Sequence, residues 1–231
     1  MTSWNATLPV DLALLVTAKE PLPGRVKTRL CPPCTPEEAA AIAAGALADT
    51  LDAVRRARVT RRVLAICGDC AAPGLDVVHQ RGDGLAERIA LAVADASALG
   101  SGPVLQLGMD TPQAGAHLLE RCGRALLRDG VDAVLGPAQD GGWWALGVRE
   151  PAMAQVILGV PMSTERTGRL ALGALRRAGL RVALVPSLRD VDTITDALTV
   201  AAQAPNGAFA AAVRLARYAD AAAAGSDAAY A

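Results

Sequence analysis

Short apolar runs of strand length alternate along this chain with longer segments whose apolar residues recur at helical spacing. That alternation confines it to a sheet with helices laid on its faces. Residues 12–16 read as the first strand. Thr35-Pro36-Glu37-Glu38 then forms a capping box with proline at the first helical position, opening a helix that places Ile42, Ala46, Leu47, Leu51 and Val54 on one face and ends near Arg56. Strands follow at 62–66, 76–79, 104–107, 133–135, 143–147 and 181–185. Helices are predicted over 85–98, 114–128, 164–178 and 195–202. The pattern predicts a single α/β domain over residues 1–219, Rossmann-like, with an open, mainly parallel sheet covered on both faces. The alanine-rich segment 220–231 reads as a disordered tail.

Composition bounds the partners. The chain is 52% hydrophobic with mean hydropathy +0.28, enough for one large core, and its 23 basic and 23 acidic residues cancel. A neutral molecule has no global field for nucleic acid or a membrane surface, so neither is expected as a partner. No run reaches the roughly eighteen apolar residues that span a bilayer, and no signal-like segment opens the chain, so a cytoplasmic location is expected. The five cysteines are an odd number and read as reduced thiols. Cys31-Pro-Pro-Cys34 and Cys67-Gly-Asp-Cys70 could still meet at one end of the sheet as a zinc site, although their separation exceeds that of a zinc ribbon.

The densest chemistry follows the first strand. The segment A-K-E-P-L-P-G-R-V-K-T-R-L, residues 18–30, carries Lys19, Arg25, Lys27 and Arg29 on a backbone bent by Pro21, Pro23 and Gly24. Converging N–H groups and charge-assisted donors make this an oxyanion-binding loop. A plain basic connector would need neither the prolines nor the glycine.

Ligands of open α/β sheets sit beyond the carboxyl ends of the strands, where four further segments carry polar groups. In residues 79–85, His-Gln-Arg-Gly-Asp-Gly-Leu, glycines allow close backbone approach and Gln80 offers donor and acceptor, although an ordinary β-to-α turn explains the segment nearly as well. Asp110, in Gly-Met-Asp-Thr-Pro, is displayed at a strand end. With Thr111 read as the cap of the following helix, Asp110 is left for a hard cation such as Mg²⁺ or Mn²⁺. In residues 136–144 a polar turn with Asp140, Gly141 and Gly142 leads into Trp143-Trp144. One indole is expected in the core and one in the pocket, because neighbours on a strand face opposite ways. Asp190-Val-Asp192-Thr193 places two carboxylates two residues apart; Asp192 or Thr193 can cap the helix that follows, and Asp192 with Asp110 would make a divalent-metal site between two strand ends. Ser163-Thr164-Glu165 reads as a helix cap with a substrate-loop role open. His79 and His117 fit no triad or ligand pattern, and Cys122 reads as a buried apolar residue.

Taken in order, these motifs resemble a bacterial family of glycosyltransferase-A-like proteins of mostly unassigned activity, described as arsenosugar-type glycosyltransferases. The pattern is A-K-x-P-x-P-G-x-V-K-T-R-L, Q-x-G-x-x-L-x-x-R, G-x-D-x-P, L-G-P-A-x-D-G-G-Y-Y and D-V-D-T, with counterparts at residues 18–30, 80–88, 108–112, 135–144 and 190–193. The family is similar in turn to molybdenum-cofactor and phospholactate guanylyltransferases, and the resemblance implies the nucleotide-diphosphosugar transferase fold. It implies that Lys19, Gly24, Arg25, Lys27, Thr28 and Arg29 meet nucleotide phosphates and that Gln80 and Gly84 approach the base. It also implies that Asp110 and Asp192 hold Mg²⁺ or Mn²⁺, and that Asp140, Gly141, Gly142, Trp144, Ser163 and Thr164 face sugar or acceptor. Trp143-Trp144 replaces a tyrosine pair, Met162 stands where the family has tryptophan, and the C-x-x-C pairs lie outside the pattern.

The expected activity is metal-dependent transfer of a sugar from a nucleotide-sugar to a small acceptor, with Lys27, Asp110 and Asp140 as catalytic candidates. Two alternatives use the same residues: nucleotidyl transfer from an NTP to a phosphorylated or carboxylated metabolite, and nucleotide binding without catalysis. A possible homodimer completes the expected partners.

Overall fold

A computed structural model describes residues 8–100 and 102–216, so the segment 220–231 lies outside the described residues. The elements run β1 (Val10–Lys19), α1 (Pro36–Arg56), β2 (Val59–Cys67), β3 (Asp76–His79), α2 (Gly84–Ala98), β4 (Val104–Gly108) and α3 (Ala116–Leu126). They continue with β5 (Ala133–Pro137), β6 (Trp143–Val148), α4 (Thr167–Arg177), β7 (Val182–Leu184), α5 (Ile194–Gln203) and α6 (Ala208–Leu215). The seven strands form one sheet in the order β3-β2-β1-β4-β6-β5-β7. All pair in parallel except β6, which runs antiparallel to both β4 and β5.

Strand β1 shows why the sheet is buried on both sides. Its alternate residues Leu12, Leu14, Val16 and Ala18 enter a core beneath α1 and α3, while Ala13 and Leu15 enter a second core beneath α2 and α4. Two-sided burial demands the unbroken apolar run that this strand has. Each fully buried leucine or valine contributes about 1.5–3 kcal/mol relative to exposure. Thr35 and Glu38 form the expected reciprocal capping box at α1. A third cluster, centred on Phe209, packs α1 against α5 and α6, and Asp49 carboxylate oxygens accept from Ala208 and Phe209 N–H to cap α6.

Several expectations are corrected. Helix α3 begins at Ala116 after Gly115, and Thr111 does not cap it: its hydroxyl is buried without a partner. Helix α4 starts at Thr167 because the Thr167 hydroxyl and backbone are bonded into the preceding turn, to Pro161 and Thr164. Helix α6 and the 3₁₀ segments Thr28–Leu30 and Pro151–Gly159 join the expected elements. The cysteines are free thiols, as expected. Cys34 is buried in the third cluster and Cys67 is exposed at the end of β2, and no cysteine joins a metal-ligand group among the described residues. Cys122 is buried in the first core as expected. No helix among the described residues is long and apolar enough to cross a membrane.

Candidate active site

At the carboxyl ends of β1 and β4, beside the β5–β6 turn, a cavity of about 690 Å³ opens. Lys19 at the end of β1 and Arg25, Lys27 and Arg29 of the loop after it all line it. Gly24 turns this loop with φ +71°. Lys27 is also left-handed, at φ +48°, a conformation that costs a non-glycine residue energy and tends to persist where surrounding contacts enforce it. Those contacts are visible. The Lys27 side chain is only 9% exposed, its Nζ lies 2.8 Å from Asp110 Oδ1 and 3.5 Å from Asp192 Oδ1, and it donates to Val191 O. Burial alone would lower its pKa, but Asp110, Asp192 and Asp190 outweigh that and hold it above the usual lysine value.

Lys27 is therefore spent on the protein. Arg29 is partly so, with Nη1 2.6 Å from Asp192 Oδ2. Lys19 and Arg25 line the cavity and enter no ion pair among the described residues, so these two remain to meet an anion; Thr28 lines the same wall.

The carboxylates gather differently from expectation. Lys27 bridges Asp110 and Asp192, so an ammonium stands between the two expected metal ligands. Asp192 instead joins Asp140 and Asp190, the three offering carboxylate oxygens all within 4.8 Å of one another. Burial and then the Asp140 charge, with Asp192 adding to both, push the Asp190 carboxyl up to about 6 against the lowering effect of Lys27 and a backbone N–H. Crowded oxygen donors of one sign are what Mg²⁺ or Mn²⁺ takes. Val191 N–H donates to Asp110 O, and Gln139 N–H donates to Leu188 O, which fasten the three contributing loops together.

Trp144 is not the pocket tryptophan. It is 2% exposed in the first core, its indole N–H donating to Pro186 O at 2.9 Å, and Trp143 lines the cavity. Period-two alternation required one of each, and a register shift decides which: Gly136 pairs with Ala145 but Pro137 with Trp143, which puts Trp144 on the same side as Ala145. Gly142, Ser163 and Thr164 also line the cavity, whereas Gly141 serves packing: at φ +93°, a Cβ there would collide with Glu165 O. Gln80 lines the cavity but braces the sheet, its Nε2 donating to Ala18 O and Ala65 O. Gly84 opens α2 and does not line the cavity; its neighbour Leu85 does. Asp140 takes Gly142 N–H on Oδ1 at 2.7 Å and remains exposed.

Sequence reasoning missed Thr17, Ile89 and Gln106 as cavity residues. A threonine and a glutamine inside otherwise apolar strands were the available signal.

The sequence profile of a family described as "Uncharacterized protein conserved in bacteria (DUF2064)" matches residues 47–164, just over half of the chain. The chain belongs to the DUF2064 family. Among solved structures, this DUF2064 protein is similar to one from Desulfovibrio desulfuricans G20, assigned rather than demonstrated to be a nucleotide-diphospho-sugar transferase. The two are 26% identical over 88% of this chain and 94% of that one, with a TM-score of 0.78. At 11% identity and TM-score 0.56 it matches CMP:2-keto-3-deoxy-manno-octonic acid synthetase complexed with CTP, covering 84% and 98% of the two chains. The 2-C-methyl-D-erythritol 4-phosphate cytidylyltransferase of Thermus thermophilus gives 18% identity and a TM-score of 0.53, again over 84% and 98% of the two chains. The DUF2064 chain thus has the expected nucleotide-diphosphosugar transferase fold. No curated protein matches its sequence.

Proposed function

We propose that this protein is a divalent-metal-dependent glycosyltransferase that moves a sugar from a nucleotide-sugar to a small acceptor. One observation carries the reading: a single cavity brings Lys19 and Arg25, free of ion pairs among the described residues, together with the Asp140–Asp190–Asp192 carboxylates. A nucleotide diphosphate needs both, cations for its oxygens and acids to hold its metal. The likeness to the Desulfovibrio protein supports the same donor class.

In this reading Asp140, Asp190 and Asp192 hold Mg²⁺ or Mn²⁺, which when bound supplies charge neutralisation for the departing diphosphate. Lys19 and Arg25 donate to the same oxygens, so their interaction strengthens as charge develops on the leaving group. Lys27 acts through Asp110 and Asp192, fixing the loops that carry them. Asp140, the exposed acid of the three, accepts a hydrogen bond from a sugar or acceptor hydroxyl.

Nucleotidyl transfer would use the same cations and acids on an NTP, with a phosphorylated or carboxylated acceptor. Against it, every lysine and arginine lining the cavity comes from residues 18–30, which leaves no second set of cations for an anionic acceptor. A thermal-shift panel of NTPs, nucleoside diphosphates and nucleotide-sugars, with Mg²⁺, Mn²⁺ or chelator, tests the proposal, because ligands of the native state raise its melting temperature. Metal-dependent stabilisation by a nucleotide-sugar, followed by its consumption with acceptor, is the expected result. Preference for an NTP would favour nucleotidyl transfer, and no response would favour a catalytically silent protein.

A further inference from the structure

The cavity has two unlike halves. Around the loop after β1 it is ionic. On the α2 side it is walled by Leu85, Ile89, Trp143 and Met162, with Ser163 at its edge and Gln106 of β4 on its floor. Ile89, Trp143 and Met162 belong to or pack against the second core, so this wall is continuous with the protein interior, while Leu85 is left exposed.

Gln106 is the anomaly of this half. It is 3% exposed, its Nε2 donates to Thr17 Oγ1 at 2.9 Å, and its Oε1 is buried with no partner. The Thr17 hydroxyl is directed to Leu107 O at 3.4 Å and accepts from Gln106 Nε2, an arrangement that leaves the amide oxygen over. An unpaired buried acceptor costs stability, and such groups in native proteins call for an explanation in function. The terminal torsion of glutamine is soft, so a modest turn offers Oε1 to the cavity without backbone movement.

We propose that this half is the acceptor site and that the acceptor is an uncharged molecule with an apolar body and a hydroxyl, the hydroxyl donating to Gln106 Oε1. The body lies against Trp143, Met162, Leu85 and Ile89. Glu165 also lines the cavity, and no cation beyond residues 18–30 does, so an anionic acceptor is disfavoured. This inference rests on the proposed function only in calling the occupant an acceptor.

The test uses three near-isosteric probes, benzyl alcohol, toluene and benzoate, titrated into the full chain by ligand-detected NMR. The expected result is benzyl alcohol binding about ten-fold more tightly than toluene, the ordinary worth of one hydrogen bond to a buried group, with benzoate weakest. Gln106→Met should erase the preference for the hydroxyl, keep toluene affinity within about two-fold, and leave the melting temperature equal or higher, because it removes an unpaired oxygen. A hydroxyl preference that survives Gln106→Met, tightest binding by benzoate, or no binding of any probe would overturn the proposal. Nucleoside diphosphates with Mn²⁺ are titrated in parallel; their failure to bind would remove the donor reading while the probe selectivity still stood.

Discussion

Lys27 Nζ lies 2.8 Å from Asp110 Oδ1, so the carboxylate at the end of the fourth strand is the counter-ion of a buried ammonium. The sequence offered both residues as free actors, one for phosphate and one for metal. Held together, they define the floor on which the proposed site is built.

Removing one partner of such a pair leaves the other uncompensated. Lys27→Met should destabilise the protein by about 2 kcal/mol, because it strips the shared cation from Asp110 and Asp192, which are partly solvated. Asp110→Asn should cost less, about 1 kcal/mol, since Asp110 is 42% exposed and Lys27 keeps Asp192 and Val191 O. Urea unfolding of both single variants and the double variant would check this, the double costing less than the sum.

Asp190→Asn separates metal binding from folding. Without metal it relieves three crowded carboxylates and should raise the melting temperature slightly; with Mn²⁺ and a nucleotide it should lose most of the metal-dependent rise. Thermal shifts with and without chelator measure both effects on one sample.

The adjacent tryptophans should respond in opposite ways. Trp144→Phe gives up the indole bond to Pro186 O in a packed core and should cost about 1–2 kcal/mol while leaving probe binding intact. Trp143→Ala should weaken benzyl alcohol and toluene alike, with a smaller loss of stability, because Trp143 is only half-buried. Paired unfolding curves and NMR titrations distinguish them.

Acid sensitivity follows from two carboxylates that do not line the cavity. Burial would raise the pKa of Glu120, but the Arg58 backbone N–H and Arg124 outweigh it. Burial of Asp196 is likewise outweighed by Thr193 and Arg189. Both carboxyls are held below their unfolded values of roughly 4, so their contribution is complete above that pH and is lost as pH falls through the lower folded values. Stability should therefore drop below about pH 4, and Glu120→Gln should flatten that slope at a cost of about 1–2 kcal/mol at neutral pH. Unfolding free energies measured between pH 3 and 7 provide the check.

What the sequence made legible was local. The capping box at Thr35, the apolar periodicity of the first long helix and the acids just past strand ends are written in neighbouring residues, and each stands where its pattern required. What it hid depends on partners far along the chain. Lys27 meets Val191 across a separation of 164 residues, and nothing beside Lys27 announces that it points inward. The choice between Trp143 and Trp144 turns on the register shift opposite Gly136 and Pro137, which alternation cannot supply. Gln106 was passed over as part of an apolar run, although its burial is what gives it chemical weight.

The reversed sixth strand has a consequence for how such a site changes over time. Strands β2, β4, β5 and β7 each follow a crossover helix, whose length fixes the connection over the sheet. The fifth and sixth strands are joined by a short turn alone, and it delivers Asp140 and Trp143 to the rim. Residues can be exchanged or inserted there without re-laying a helix, so the rim that carries Asp140 and Trp143 is the part of the proposed site freest to diverge between members of the family.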